Sequence, residues 1–154
     1  MAEVINRQTM EILVDYYGFA LQEADESQIP APFPEGRAYP GTAFLISRPM
    51  RVDVDSAGHT HEAPLAVEVW DGEPPVDHAA EWEARGEITM ASPTGQLSVW
   101  VIAGRVGEHI ELGRTKTTWR VRIYCAGRKK VAHLAQFGVP EGVERYLVQL
   151  WPVT

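Results

Sequence analysis

The sequence predicts an all-β protein: a single domain over residues 1–154, folded as an antiparallel, jelly-roll-like β-sandwich of about eight strands with one or two short helices. Two observations predict it. Apolar and polar residues alternate with period two in segment after segment, the mark of strands with one face buried. These segments follow one another at spacings of about 8 to 15 residues, punctuated by glycine and proline. Strand–helix–strand alternation is absent, which argues against a Rossmann-type sheet, and no repeat of about 20 to 50 residues recurs.

The first strand is read in MEILVDYYGFALQ (10–22), with Met10, Ile12, Val14 and Tyr16 on one side. The alternation slips at Gly18, where a bulge is expected. QIPAPFPEGRAYPG (28–41) holds four of the eleven prolines and reads as a loop ordered by Phe33 and Tyr39. TAFLISRPMRVDVDS (42–56) splits at Pro49 into two short strands. In the second, Val52 and Val54 point inward and Arg51, Asp53 and Asp55 outward. APLAVEVWDG (63–72) buries Leu65, Val67 and Val69 and exposes Glu68 and Trp70. VDHAAEWEARG (76–86) reads as a short helix, with Asp77 as N-cap and Gly86 as its end, and is also compatible with an irregular approach to a strand.

Strands resume at GEITMAS (86–92), GQLSVWVIAG (95–104), an edge strand at EHIELG (108–113), and TTWRVRIYCAG (117–127). In the last, Trp119, Val121, Ile123 and Cys125 share the core face. Arg120 and Arg122 share the other, where carboxylates of adjacent strands are their expected partners. RKKVAHLAQFGVPEG (128–142) allows one or two helical turns, and VERYLVQLWPV (143–153), apolar on both faces, reads as a central strand.

Composition narrows the function classes. With 45% hydrophobic and 23% charged residues the chain is expected to be globular, and no apolar run approaches the roughly 18–20 residues of a membrane helix. Residues 1–18 show no charged segment followed by an apolar one, so no secretory signal and a cytoplasmic location are expected. The single cysteine, Cys125, makes neither an internal disulfide nor a cysteine-based zinc site. The net charge is −7 and unevenly spread. From Asp53 to Glu87 the acids Asp53, Asp55, Glu62, Glu68, Asp71, Glu73, Asp77, Glu81, Glu83 and Glu87 face one base, Arg85, whereas Arg114 to Lys130 is purely basic. An acidic surface of this kind suits a basic protein partner. Arg120, Arg122 and Tyr124 could form a small surface for stacking and phosphate contacts, but the overall charge opposes direct nucleic-acid binding.

Catalytic patterns are sparse. There is no G-x-S-x-G elbow and no phosphate loop, and Cys125 lies on an apolar strand face. GHTHEAP (58–64) places His59 and His61 two residues apart, the one metal-like motif, and the five tryptophans, Trp70 and Trp82 foremost, invite an alternative reading as a small-ligand or carbohydrate-binding module in which that pair could hold a metal. Otherwise no cofactor is expected.

VDYYGFALQ and VERYLVQLWP at the two ends, with GRVGEHIELG and WRVRIYCAGR between them, resemble the competence protein J family of bacterial nuclease inhibitors. The shared features are a first strand of D-Y-x-x-F type and a closing strand carrying Y-x-V/L. The resemblance implies a small acidic all-β inhibitor, not an enzyme, that blocks a nuclease in the cytoplasm. On that reading Asp53, Asp55, Glu68, Asp71, Glu73 and Asp77 would supply a negative field and Trp70 an aromatic anchor.

Overall fold

The computed structural model describes residues 1–29 and 43–153, so the proline-rich loop with Phe33 and Tyr39 lies outside the described residues. Among the described residues ten strands form two five-stranded sheets. The strands are β1 (Val4–Val14), β2 (Gly18–Glu23), β3 (Leu45–Arg48), β4 (Arg51–Asp55), β5 (His61–Trp70), β6 (Ala84–Ser92), β7 (Gln96–Val101), β8 (Gly104–Glu111), β9 (Thr117–Ala126) and β10 (Arg145–Pro152). One α-helix, α1 (Arg128–Leu134), joins β9 to β10, and a single 3-10 turn spans Glu26–Gln28. No described helix is long and apolar enough to cross a membrane.

The first sheet runs β1-β5-β10-β9-β6 and the second β3-β4-β2-β7-β8. Their inward residues meet in one core, which includes Ile12, Leu65, Val67, Trp119, Ile123, Tyr146 and Val148 from the first sheet and Phe19, Leu21, Val52, Leu97 and Val99 from the second. β10 is central, as its two apolar faces predict. The expectation of a wholly antiparallel fold is corrected at this strand: Tyr146 to Leu150 run parallel to Leu65 to Val69 of β5. Residue alternation is the same in both kinds of pairing, so only the chain's path decides the direction.

The phase slip at Gly18 is a corner, not a bulge. Asp15 to Gly18 form a tight turn with Tyr16 and Tyr17 both at positive φ (49° and 63°), and the chain passes from the first sheet to the second. Neither residue favours that conformation, and contacts of both rings with His59 (centroids 4.8 and 5.1 Å) help to hold it.

The two sheets also guard each other's edges. Asn6 and Gln8 on β1 donate side-chain amide hydrogens to the carbonyls of Glu111 and His109 on β8 (3.2 and 3.0 Å), and the Glu111 N–H donates back to Gln8 Oε1 (2.8 Å). A side chain at Gly86 on β6 would meet Leu45 of β3 at 2.7 Å, so the other pair of edges also packs closely. Edge carbonyls and N–H groups occupied in this way are poor templates for strand addition.

A buried carboxylate organises the β6–β7 turn. Glu23 accepts from Ser92 Oγ (2.8 Å) and from Thr94 N and Oγ1 (3.0 and 2.8 Å). At the other end of the fold, Gly127 caps α1 with φ 81°, and a Cβ there would lie 2.0 Å from the Val143 carbonyl oxygen. Gly127→Ala is therefore expected to lower stability by more than the roughly 1 kcal/mol of a left-handed alanine alone, because the backbone at Val143 must also move. Urea titration of the two proteins measures it; an unchanged midpoint would refute the clash.

Candidate partner-binding face

The outer face of the first sheet carries Glu68 and Glu87 in a regular row of charged and polar residues. One row crosses all five strands: Arg7 on β1, Glu68 on β5, Gln149 on β10, Arg122 on β9 and Glu87 on β6. Three of its four neighbouring pairs interact: Arg7 with Glu68, Glu68 with Gln149, and Arg122 with Glu87. Glu68 accepts from Gln149 Nε2 (3.0 Å) and the Trp70 indole (3.1 Å), and lies 3.6 Å from Arg7. Arg122 donates to Glu87 (2.6 Å) and to the Pro74 carbonyl (3.2 Å), and lies 3.6 Å from Glu73. Its guanidinium stacks over Trp151, 4.8 Å from the ring centroid. The expectation that Arg120 and Arg122 pair with carboxylates of adjacent strands holds: both meet Glu87 of β6. Arg122 is only 4% exposed and Tyr124 is covered by Trp82, so no open stacking-and-phosphate surface forms there.

Residues 71–83 cross this face as an irregular loop that leads into β6, so of the two readings of 76–86 the helix is corrected and the irregular strand approach is found. Asp77 does cap locally, with Oδ2 accepting from the Ala79 N–H (2.9 Å). The same oxygen also accepts from the Trp82 indole (2.9 Å), whose ring packs against Tyr124, and the Asp77 N–H donates to the Tyr124 hydroxyl (3.0 Å). A helix this short is marginal without a buried face. From Ala84 the chain gains more by pairing with β9. Glu83, just before that strand, accepts from the N–H groups of Arg128 and Lys129 and caps α1.

Of the seven residues expected to bind a partner, Glu68, Trp70, Asp71, Glu73 and Asp77 share this face and its loop. Asp71 and Glu73 are exposed, while Asp71 also accepts from the Glu3 N–H (2.7 Å). Asp53 and Asp55 are separated from them, on β4 of the second sheet. Asp53 does not point to solvent: it is 2% exposed and bridges Arg48 and Arg51 (both 3.0 Å). Asp55 binds Arg128 (3.1 Å). The sequence held a signal for the first of these pairings, since Arg51 and Asp53 stand two apart on one strand face and Arg48 faces Arg51 across the hairpin.

On the same face, next to the row, lies a groove of about 580 Å³, floored by Pro64, Ala66 and Leu147, with Trp82 among its lining residues. Glu11, Glu68, Asp77 and Arg145 bring charge to it.

The histidine pair is divided. His59 is exposed and bonds Thr60 Oγ1 (2.7 Å), whereas His61 is fully buried. The two do not share a strand face, because β5 begins only at His61. Among the described residues no three His, Cys, Asp or Glu side chains are placed to hold a metal ion. His61 instead belongs to a buried network that sequence reading missed. The Ser56 hydroxyl donates to Glu144 Oε1 (2.6 Å) and so accepts from His61 Nε2 (2.7 Å). Glu144 also accepts from the Ala57 N–H (3.0 Å) and the Tyr146 hydroxyl, and Arg128 lies 3.9 Å away. Burial pushes the Glu144 carboxyl up, but the bonds from His61, Ser56, Tyr146 and Ala57 outweigh it and hold the pKa below the ordinary value of 4.5. Burial, followed by the charge of Glu144, pushes the Tyr146 hydroxyl well up, so it stays a donor. Burial likewise raises the Cys125 thiol, the opposite of an activated nucleophile. The serine, histidine and glutamate have the residue types of a catalytic triad, but Glu144 and His61 are 0% exposed and Ser56 is 1% exposed, out of a substrate's reach.

Fold and face together define a two-sheet β-protein whose first sheet carries a row of charged and polar side chains on its outer surface. The sequence matches no family model and no curated protein. Among solved structures, the chain is similar to ComJ from Bacillus subtilis, an inhibitor of the DNA-degrading activity of NucA, with a TM-score of 0.65 at 11% identity over 99% of both chains. It is also similar to Crocagin biosynthetic gene J, with a TM-score of 0.64 at 12% identity over 97% of this chain and 100% of that one. At these identities the shared property is the fold.

Proposed function

We propose that this chain is an inhibitor-type binding protein that acts in the cytoplasm by occupying the basic active site of a nuclease with the outer face of its first sheet. It works by binding and not by catalysis. The observation that carries the reading is the outward Glu68 and Trp70 of β5 beside the crossing loop, whose Glu73 lies near Arg122 and whose Asp77 is held on Tyr124. The fold likeness to an inhibitor, over nearly the whole of both chains, supports it. A nuclease site is positive because it binds phosphate, so a carboxylate array with an aromatic anchor is complementary to it, and such fields act mainly on association rate and specificity.

The test is affinity capture of nucleases from the source cells, followed by inhibition and surface-binding kinetics. The triple variant Glu68→Gln, Asp71→Asn, Glu73→Gln keeps side-chain shape and removes three charges. It is expected to associate more slowly, to dissociate faster, and to lose most of the wild type's sensitivity to added salt. Recovery of no nuclease, or inhibition untouched by the triple change, would overturn the proposal.

The groove favours one further reading, a small-ligand module, because its volume falls within the roughly 300–1,000 Å³ of such sites. A concentration-dependent rise in Tm with an oligosaccharide panel would support that reading over the inhibitor.

A further inference from the structure

We infer that the groove next to the charged row receives an extended segment of the protein partner, in which an apolar side chain is flanked two residues away on each side by lysine or arginine. This inference rests on the inhibitor reading and specifies what that surface grips.

The argument is one of register. Pro64, Ala66 and Glu68 are successive outward residues of β5. Glu11 on β1 stands opposite Pro64 and Thr9 opposite Ala66, while Leu147 on β10 flanks Ala66 from the other side. The middle of the groove is therefore mostly apolar, with Ala66 and Leu147 beneath, Trp82 lining it and Thr9 on its β1 side. Its two ends carry carboxylates, Glu11 and Glu68, which stand at positions four residues apart along β5, about 13 Å at strand rise. An extended chain presents residues i, i+2 and i+4 on one side over the same distance, so basic–x–apolar–x–basic matches acid–apolar–acid.

Charge has the same sign. Three carboxylates, Glu11, Glu68 and Asp77, line the groove with the guanidinium of Arg145, and Arg7 stands 3.6 Å from Glu68, which leaves one carboxylate in excess. Trp82 offers a ring face for an aliphatic or cationic side chain. The β1 and β8 edges bond to each other and β6 packs closely on β3, so a partner segment is better accommodated on this face than as an added strand.

The probe is a fluorescein-labelled peptide, acetyl-Gly-Arg-Ser-Leu-Ser-Arg-Gly-amide, followed by anisotropy with the full chain. It is expected to bind at least about tenfold more tightly than the versions with glutamate for arginine or serine for leucine. Ala66→Arg puts bulk and positive charge on the groove floor from an outward position and is expected to abolish binding. Two exposed-site variants provide a test that does not depend on Ala66→Arg folding: Arg145→Gln should strengthen binding and Glu11→Gln should weaken it. Equal binding of all three peptides, or affinities unmoved by both exposed-site variants, would overturn the inference. Nuclease inhibition that survives a folded Ala66→Arg would sink the groove's role and leave the inhibitor reading standing. Peptide binding with this selectivity in the absence of any captured nuclease would sustain the groove's preference and remove the inhibitor reading.

Discussion

Glu144→Ala is expected to destabilise the protein by about 3–5 kcal/mol, the usual cost of removing one partner from a buried charged cluster. For a chain of this length the corresponding fall in Tm is roughly 6–20 °C. The carboxylate is fully buried and accepts from Ser56, the Ala57 N–H and Tyr146. Its removal strands those donors and leaves Arg128 with one fewer counter-charge. Glu144→Gln keeps the shape but turns an acceptor into a donor facing hydroxyl and N–H groups, so its cost should fall between wild type and alanine. The pH dependence follows from the depressed pKa. A carboxyl held lower in the folded state than in the unfolded state adds stability that is fully present above the unfolded value. That stability is lost as pH falls through the folded value. Wild-type stability should therefore decline on the acid side, and Glu144→Gln should flatten that limb. Urea titrations from neutral pH downward measure both effects. A Glu144→Ala protein with wild-type stability would show that the network contributes nothing net.

Arg122→Ala should have the second largest effect, about 2–3 kcal/mol, together with loss of partner capture. The guanidinium bonds Glu87 and the Pro74 carbonyl, lies near Glu73, and stacks on Trp151. Its removal leaves Glu87 without its closest cation and frees the loop that presents Asp71, Glu73 and Asp77. Arg122→Lys restores charge but not the planar fork, so it should recover part of the stability and less of the binding. Thermal unfolding measures the first effect and binding kinetics the second. If Arg122→Ala binds as wild type does, the loop is not held by this side chain.

These two residues also show how far the sequence could be read. Arg122 was legible: it alternates with Val121 and Ile123, and its pairing with a neighbouring strand's carboxylate is what a charged outward position next to acidic strands demands. Glu144 was not legible. It stands just before a strongly apolar strand, and nothing local says that Ser56 and His61, more than eighty residues away, will enclose it. The acidic block looked continuous along the chain from Asp53 to Glu87. Folding divided it, because β4 lies in one sheet and β5 in the other.

Period-two alternation determined by itself that this is a β-protein, where most strands lie, that β10 is central, and which side of β5 and β9 is buried. Those properties follow from each residue's own φ/ψ and from its immediate neighbours. Only the tertiary structure decided the rest: the parallel pairing of β10 with β5, the passage between sheets at Tyr16 and Tyr17, the unwinding of the expected helix onto Tyr124, and the choice of which carboxylates remain for a partner. Each of these depends on contacts between residues distant in the chain, whose free energies outweigh local preference and leave no periodic trace in the sequence.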